Sequence, residues 1–366
     1  MQDTLQVQLE CFFVSPLFNL AASTPGACPR RLIIKILVFE FITAGGIAQE
    51  QLPESMVREG ELMLKALVAD LSKTKALQLT VLLDGHFKHL VFPEQIQCIY
   101  ISATESMDDY LPALIQQNDA VWPIAPESDS VLYDLSVLVI ENHTHLLNSN
   151  ASAVSICADK LRTAEILKSH GIKVVDTWQL AVFSQQIPAP WVVKPKNAEG
   201  CEATYLIDNW GELSKLQQSL VEQEEYIIQP YIAGHNLSLS CLFKNGRAWL
   251  LCCNRQIVSI QQQQFSLQAC EVNVSIDHKE TYQLLIDKVA NAIPGLWGYV
   301  GIDIIHPQSA EPIVLEINPR LTTSFAGISQ SLGLNVAEQV INMIKQDPII
   351  EKPLNKQTTV TINKVS

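Results

Sequence analysis

The stretch that decides the fold is Val314–Ser324, which reads VLEINPRLTTS. Its first half is rich in apolar and β-branched residues, which is typical of a strand. Glu316 and Asn318 lie two residues apart in it, so a strand projects both side chains from the same face. A second run of this kind, Gly301–Ile305, precedes it and carries Asp303 at its centre. The two runs are therefore predicted to form a β-hairpin, with the short polar segment between them as the turn.

The predicted hairpin gathers three oxygen donors. If its turn is centred on residues 309 and 310, Asp303 lies directly opposite Glu316 and on the same face. Two carboxylates side by side repel each other, and one of them would have to take up a proton. A hard divalent cation removes this conflict, and Mg²⁺ typically uses one or two carboxylates together with substrate phosphates. We therefore predict that Asp303, Glu316 and Asn318 hold Mg²⁺, with Mn²⁺ as a substitute. The alternative is an ordinary strand pair whose acids face water.

Composition excludes several classes of function. The chain has 366 residues, of which 48% are hydrophobic and 17% charged, and its formal net charge is −13. This acidic balance argues against a nucleic-acid partner, whose phosphates need a basic surface. No apolar run reaches the roughly 18 residues that a membrane span requires. The nine cysteines form no C-x-x-C pair, which favours a reduced, cytoplasmic setting. Whether the chain forms a homo-oligomer is left open.

The alternation of predicted elements divides the chain. Residues 1–30 are predicted to be a loosely ordered extension and not a signal peptide, because no Lys or Arg precedes their apolar part. Residues 31–156 alternate buried strands with helices, which predicts an open α/β domain with ligands at the carboxyl ends of its strands. Residues 157–346 group short strands with helices, which is typical of an α+β domain. Residues 347–366 are predicted to be a tail containing an edge strand.

Basic residues mark where anions would bind. Lys194 ends the predicted strand Trp191–Val193 and precedes Pro195, so its ammonium group is suited to phosphates. The alternative is an ordinary surface lysine. Arg255 and Arg320 each present a guanidinium fork that fits phosphate or carboxylate. Arg320 follows the predicted metal ligands and is expected to bind an anionic group beside them, with a structural ion pair as the alternative.

Two further groups of polar residues are predicted to hold substrates. Thr322, Thr323 and Ser324 supply hydroxyl groups just before a predicted helix N-terminus, which suits a substrate carboxylate. Glu40 stands at the carboxyl end of the first strand, where open α/β sheets bind ligands. Its carboxylate is predicted to hold the ammonium group of a substrate, with a helix cap or a salt bridge as the alternative.

Taken in order, these motifs resemble the ATP-grasp superfamily, whose members bind Mg-ATP between two α+β subdomains and activate a carboxylate as an acyl phosphate. LEINPRLTTS is similar, more specifically, to the tyramine–L-glutamate ligases of methanofuran biosynthesis and their relatives in C1-metabolising bacteria. The likeness extends into the first domain through FEF at 39–41, LPES at 52–55 and IAPE at 124–127. It implies an ATP-grasp fold (α/β followed by α+β) with an N-terminal open α/β pre-ATP-grasp domain. It also implies a lid subdomain at 157–228 and a metal-binding subdomain at 229–346.

The resemblance further implies which residues hold the nucleotide. A flexible loop at 196–204 would close over the phosphates, although Ala198 and Ala203 stand where relatives usually have glycine. A hinge after the strand that contains Gln229 would read the adenine edge. Because Pro230 has no N–H, Ile232 is the predicted donor to adenine. The residues implied to bind ATP are Lys160, Lys194, Gly200, Glu202, Gln229, Tyr231, Ile232 and Asn236.

The implied activity is an ATP-dependent ligation that forms an amide. Phosphoryl transfer would convert a carboxylate into an acyl phosphate, which an amine then attacks. By resemblance the substrates are small molecules, the γ-carboxyl of L-glutamate and the amine of tyramine. Arg255 would help the lysines to neutralise phosphate charge, and Arg320 would steady the acyl group. Two alternatives stay open: another ATP-grasp amino-acid or peptide ligase, and a non-catalytic nucleotide-binding protein.

Overall fold

The computed structural model describes residues 33–47, 53–102, 104–184, 187–197, 200–275 and 278–362. The predicted extension at 1–30, Ala198 of the loop and the last residues of the tail lie outside these ranges. From Ile34 onward the chain forms one compact unit. None of the helices in the described ranges has the length and apolarity needed to cross a bilayer.

Parallel strands build the first sheet. They are β1 (Ile34–Glu40), β2 (Leu77–Asp84), β3 (Gln97–Ile101), β4 (Ala120–Ile124) and β5 (His145–Leu146). Their order is β3-β2-β1-β4-β5, and every neighbouring pair is parallel. The helices that pack against the sheet are α1 (Glu54–Ser72), α2 (Met107–Gln117) and α3 (Val131–Glu141).

Strand β1 lies in the middle of this sheet and is buried on both faces. Ile36 and Val38 point into one hydrophobic cluster, and Leu37 and Phe39 point into another. Burial on both faces explains why the strand is a nearly continuous apolar run. The predicted open parallel sheet is thereby confirmed.

Residues 151–230 add further helices and a small antiparallel unit. The elements are α4 (Ala151–Ala158), α5 (Lys160–Ser169), β6 (Trp178–Gln179), β7 (Trp191–Pro195), β8 (Tyr205–Ile207), α6 (Trp210–Ser219) and β9 (Tyr226–Pro230). The strands follow the order β8-β7-β9-β6. Trp191 is buried in the core of this unit, and the ring of Trp210 lies 4.9 Å from it between centroids. This core fixes β7, which carries Lys194.

The larger antiparallel sheet follows. Its elements and the helices around it are β10 (His235–Lys244), β11 (Arg247–Gln261), β12 (Gln264–Val272), α7 (Lys279–Ala292), β13 (Gly298–His306), β14 (Ile313–Asn318), α8 (Phe325–Leu332), α9 (Val336–Met343) and β15 (Thr358–Thr361). The strand order is β14-β13-β10-β11-β12, and β12 also pairs with β8, so the sheet continues into β8-β7-β9-β6. Strand β15 pairs with β12, so the strand predicted in the tail is confirmed.

The two faces of the larger sheet have different surroundings. One face buries Leu239 and Ile302 in a cluster with Ile286 of α7. The other face carries Ser238 and Asp303, which pair directly across β10 and β13. Because side chains alternate along a strand, Asp303 projects away from α7. The candidate site lies on that second face.

Candidate active site

The acidic hairpin is formed by β13 and β14. Asp303 pairs directly with Glu316, as predicted from the sequence. The hairpin is not regular, although the prediction assumed a regular one. Ile304 pairs with Val314, which leaves Leu315 as the extra residue of a β-bulge. The bulge reverses the alternation. Val314 points into the core on the α7 side, whereas Glu316, two residues later, lies beside Asp303.

Asp303 is surrounded by polar side chains. Ser238 and Gln256 hydrogen-bond to its carboxylate, and Asn318 Nδ2 donates to Asp303 Oδ2 at 3.5 Å. Burial and the neighbouring carboxylate of Glu316 raise the pKa of Asp303 in spite of these hydrogen bonds. Two carboxylates that oppose each other's ionisation form a pair that a cation would stabilise.

Two ammonium groups contact the second carboxylate of this pair. The Nζ atoms of Lys160 and Lys194 lie 3.5 Å and 3.6 Å from Glu316 Oε2, and the two lysine side chains are only 8% and 12% exposed. Burial acts to raise the pKa of Glu316, but the two lysines, together with Arg320, hold that pKa below its ordinary value. Burial also lowers the pKa of Lys194. Opposite charges are therefore concentrated in a region that water screens poorly.

Local structure explains how the two lysines meet. Lys160 is the first residue of α5. The side chain of Asp159 caps this helix by accepting hydrogen bonds from the backbone N–H groups of Leu161 and Arg162. The backbone N–H of Lys160 donates to the carbonyl of Lys196 at 3.1 Å. Lys194 lies two residues earlier, at the end of β7. This hydrogen bond thus ties the start of α5 to the end of β7.

The donors at the site fit a magnesium ion with phosphates. Asp303, Glu316 and Asn318 offer carboxylate and amide oxygens, and Mg²⁺ typically needs only one or two carboxylates beside substrate phosphates. In the described part of the chain, no group of three or more His, Cys, Asp or Glu side chains is placed to hold a metal by itself. Lys160 and Lys194 add the compact positive charges that phosphates require.

The described part of the loop after β7 has several residues with positive φ angles, although glycine is scarce in it. Its φ angles are +61° at Gly200, +70° at Cys201 and +44° at Ala203, a left-handed region that costs residues with a Cβ roughly 1–2 kcal/mol. Glu202 is exposed on the same loop. The Cys201 thiol lies within electrostatic reach of Lys194, and burial raises its pKa to about 12. Cys201 and Ala203 of this loop therefore adopt backbone conformations that glycine would adopt without strain.

The predicted adenine hinge connects β9 to β10. Gln229 is buried, and its Nε2 donates to Thr177 Oγ1 at 2.9 Å. The backbone N–H of Tyr231 donates to the carbonyl of Pro190 at 2.9 Å, while its side chain is exposed. Because that N–H is already bonded, Ile232 stays the predicted donor to adenine.

Asn236, which the resemblance implies to bind ATP, lies on the same face of the sheet as Asp303. Asn236 is two residues before Ser238 in β10, and Ser238 pairs with Asp303, so strand alternation places Asn236 on the face of Asp303. Gly234 precedes it at a point of close approach. A Cβ on Gly234 would lie only 2.6 Å from Ile305 Cγ2, so the start of β10 packs tightly against β13.

Arg320 follows β14 and pairs with the first domain. Its Nε donates to Glu127 Oε2 at 2.8 Å, and its Nη1 donates to the carbonyl of Leu321 at 3.1 Å. The side chains of Arg320 and Glu127 are 12% and 5% exposed. The ion pair that the sequence left as an alternative is therefore present. No sequence signal identifies the partner, because 193 residues separate the two.

The structure does not bring Arg255 to the site, which corrects its predicted contact with phosphate. Arg255 pairs in register with Leu237, which is buried on the α7 side of the sheet. Its side chain therefore projects from the face opposite to Asp303, where Nη1 lies 3.0 Å from Glu271 Oε2. The residue that reaches Asp303 from β11 is its neighbour Gln256, which the sequence analysis did not select because an uncharged glutamine carries no distinctive signal.

The hydroxyl groups of Thr322 and Ser324 are bonded inside the protein. Their oxygens lie 2.9 Å apart, and the Tyr299 hydroxyl lies 3.0 Å from the first and 3.2 Å from the second. They anchor the segment after β14 to the sheet, and their predicted role in substrate binding stays a prediction. Thr323 points to the first domain, where its Oγ1 donates to Glu59 of α1 at 2.6 Å.

Glu40 caps the turn that follows its own strand. Its Oε1 accepts the N–H of Ile42 at 3.0 Å, and its Oε2 accepts the N–H of Thr43 at 2.8 Å. The carboxylate packs on Gly60 of α1, which leaves no room for a Cβ. Burial raises the pKa of Glu40 to about 7, although the two backbone hydrogen bonds act against this. These contacts match the capping alternative, and binding of a substrate ammonium group stays a prediction.

Sequence families agree with this architecture. The ATP-grasp domain family matches residues 157–324, and the pre ATP-grasp 3 domain family matches residues 77–154. The chain belongs to the ATP-grasp superfamily, with the ATP-grasp fold and the pre-ATP-grasp domain that its sequence predicted. It is an ATP-dependent ligase that forms carbon–nitrogen bonds.

Individual relatives and solved structures show further similarities. The chain is 24% identical to the tyramine–L-glutamate ligase of Methanocaldococcus fervens over 327 residues, which cover 89% of this chain and 99% of that protein. An ATP-grasp superfamily protein from Archaeoglobus fulgidus superposes with a TM-score of 0.67 and 24% identity, covering 90% of this chain and 92% of that one. The biotin carboxylase domain of the Hydrogenobacter thermophilus 2-oxoglutarate carboxylase, solved with MgADP, ADP and bicarbonate, superposes with a TM-score of 0.66 and 14% identity, covering 89% and 72%. The two structures share the fold.

Proposed function

We propose that this ligase joins the γ-carboxyl group of L-glutamate to tyramine or a similar amine, in the biosynthesis of a methanofuran-type C1-carrier cofactor. The similarity to tyramine–L-glutamate ligase over nearly the whole of that protein supports these substrates. The observation that carries the proposal is the contact of Lys160 and Lys194 with Glu316, directly opposite Asp303. Such an arrangement suits the triphosphate and metal of ATP.

Amide formation from a carboxylate requires activation. The carboxylate is unreactive towards an amine because its carbonyl group is charged and its leaving group would be oxide. When a carboxylate oxygen takes the γ-phosphoryl group of ATP, the bond to ADP breaks and an acyl phosphate forms. The amine nitrogen then attacks the acyl carbon, loses a proton and displaces inorganic phosphate. Both steps depend mostly on positioning and on neutralisation of charge.

Residues of the chain divide these tasks. Asp303, Glu316 and Asn318 would hold Mg²⁺, or Mn²⁺ in its place, which when bound supplies Lewis-acid charge to the phosphate oxygens. Lys160 and Lys194 neutralise the phosphates, and their burial strengthens this attraction because little water screens it. Arg320, two residues beyond Asn318, steadies the acyl group.

Turnover with defined substrate pairs tests the proposal. The purified full chain receives ATP, Mg²⁺ and one acid with one amine, while ADP release and the amide product are measured. We expect ADP release that requires both L-glutamate and tyramine, with an equal amount of γ-glutamyl amide. ADP release with other amino acids alone would instead identify another ATP-grasp amino-acid or peptide ligase. Nucleotide binding without turnover of any pair would identify a non-catalytic nucleotide-binding protein.

A further inference from the structure

Glu127 extends from the first domain to the end of the acidic hairpin. It lies three residues after β4, and its Oε2 accepts the Nε–H of Arg320 at 2.8 Å. Both side chains are nearly buried. A charge-assisted hydrogen bond at the Nε edge fixes the plane of a guanidinium group. The first domain therefore orients the Arg320 fork together with the carbonyl of Leu321, which accepts from Nη1 at 3.1 Å.

The backbone that follows Glu127 is strained. Asp129 and Ser130 have φ angles of +51° and +61°, a region that residues with a side chain rarely adopt. Such strain persists only where the surrounding structure imposes it, and it clusters at functional sites. The N–H of Leu132 donates to the carbonyl of Pro126 at 2.9 Å. This hydrogen bond closes the strained turn that presents Glu127.

Arg320 lies between groups from both domains. Its charge helps to lower the pKa of Glu316 in the hairpin, and it opposes the rise that burial causes in the pKa of Glu40 at the end of β1, so it is within electrostatic reach of both carboxylates. Thr323, three residues later, donates to Glu59 of α1 at 2.6 Å. The first domain therefore holds the segment after β14 at two points.

We propose that Glu127 is a positioning residue, which aims the guanidinium group of Arg320 at the acyl group of the acid substrate. The proposal rests on the acyl role of Arg320 in the proposed function. A misplacement of about 1 Å is enough to lower a rate about 100-fold. We therefore expect Glu127→Gln and Glu127→Ala to lower kcat/KM for the acid by roughly 10-fold to 100-fold. The KM for ATP should change by less than about twofold, because the two lysines are untouched.

A double-mutant cycle separates positioning from a merely structural role. If Glu127 acts through Arg320, Glu127→Ala in the Arg320→Ala background should cause no further loss of kcat/KM. Arg58→Ala is the matched control, because Nη1 of Arg58 donates to the carbonyl of Ile362 in the tail at 2.9 Å. Arg58→Ala likewise removes a hydrogen bond of a guanidinium group, but this bond joins α1 to the tail and not to Arg320. The kcat/KM of this variant should therefore stay at the wild-type value. Additive losses, or a lower Tm of Glu127→Ala with unchanged kcat/KM, would overturn the proposal.

The substrates for the cycle are chosen so that the two proposals fail separately. The cycle uses whichever acid and amine the wild-type chain accepts with ADP release. If the chain releases ADP with other pairs but not with L-glutamate and tyramine, the proposed substrates are wrong. The coupling of Glu127 to Arg320 is then measured with another accepted acid. Absence of ADP release with every pair overturns both proposals.

Discussion

Glu316→Gln removes one charge from the centre of the site and leaves the size of the side chain unchanged. In the native protein Glu316 Oε2 lies 3.5 Å and 3.6 Å from two buried ammonium groups. At an effective dielectric constant of about 20, each attraction amounts to roughly 5 kcal/mol before desolvation is subtracted. Breaking a buried ion pair by removing one partner typically costs about 3–5 kcal/mol. We therefore expect Glu316→Gln to lower the free energy of unfolding by about 3 kcal/mol and to abolish ADP release.

Glu311→Gln provides the matched control on the same hairpin. Glu311 also pairs with a lysine, at 2.8 Å from Lys173 Nζ, but the two side chains are 70% and 57% exposed. Exposed pairs contribute little because water screens them, so this variant should keep both its stability and its activity. Urea unfolding of the two variants measures the difference. Equal losses in the two would refute the electrostatic reasoning, and a Glu316→Gln variant that still releases ADP would refute the metal role of the acid.

Further predictions concern the loop, a helix contact and pH. Ala203→Gly should raise the free energy of unfolding by about 1 kcal/mol, because glycine relieves the strain at φ +44°, whereas Gly200→Ala at φ +61° should lower it by about as much. Gly60→Ala should destabilise by about 1–3 kcal/mol, because its methyl group collides with the carboxylate of Glu40. Folding raises the pKa of Glu40 from 4.5 to about 7, so the folded protein favours the protonated carboxyl group. The contribution of this group to the free energy of unfolding is therefore complete below pH 4.5. It should be lost as pH rises to 7, by about 3 kcal/mol, and Glu40→Gln should remove this dependence.

Urea unfolding between pH 4 and pH 8 measures all of these effects. Stability changes of the same sign in Ala203→Gly and Gly200→Ala would contradict the left-handed backbone of the loop. A neutral Gly60→Ala would show that α1 can move away from Glu40. A pH profile that is identical in the wild type and in Glu40→Gln would show that another group titrates in that range.

Local rules predicted the elements and much of the hairpin. The apolar run of β1 predicts a buried parallel strand because both of its faces are covered, and the two-residue spacing of Glu316 and Asn318 puts both on one face. The pairing of Asp303 with Glu316 was predicted for a regular hairpin. It exists because of the bulge at Leu315, which no local pattern reveals.

Tertiary placement accounts for what the sequence did not predict. Arg255 carries the right chemistry, but the register of β10 with β11 turns it to the other face of the sheet. Thr322 and Ser324 are suited to a ligand, yet Tyr299 of β13 binds both hydroxyl groups. The role of Glu127 depends on an ion pair between distant segments, and such pairs emerge only when the whole chain is packed.

Leu315 makes the hairpin one residue longer than its pairing needs. If this residue were absent, Val314 would be followed directly by Glu316, and ordinary alternation would still turn the former inward and the latter towards Asp303. A chain with Leu315 deleted should therefore keep the two acids side by side. Among homologous proteins, we expect length variation of one residue at this position to be compatible with an unchanged reaction.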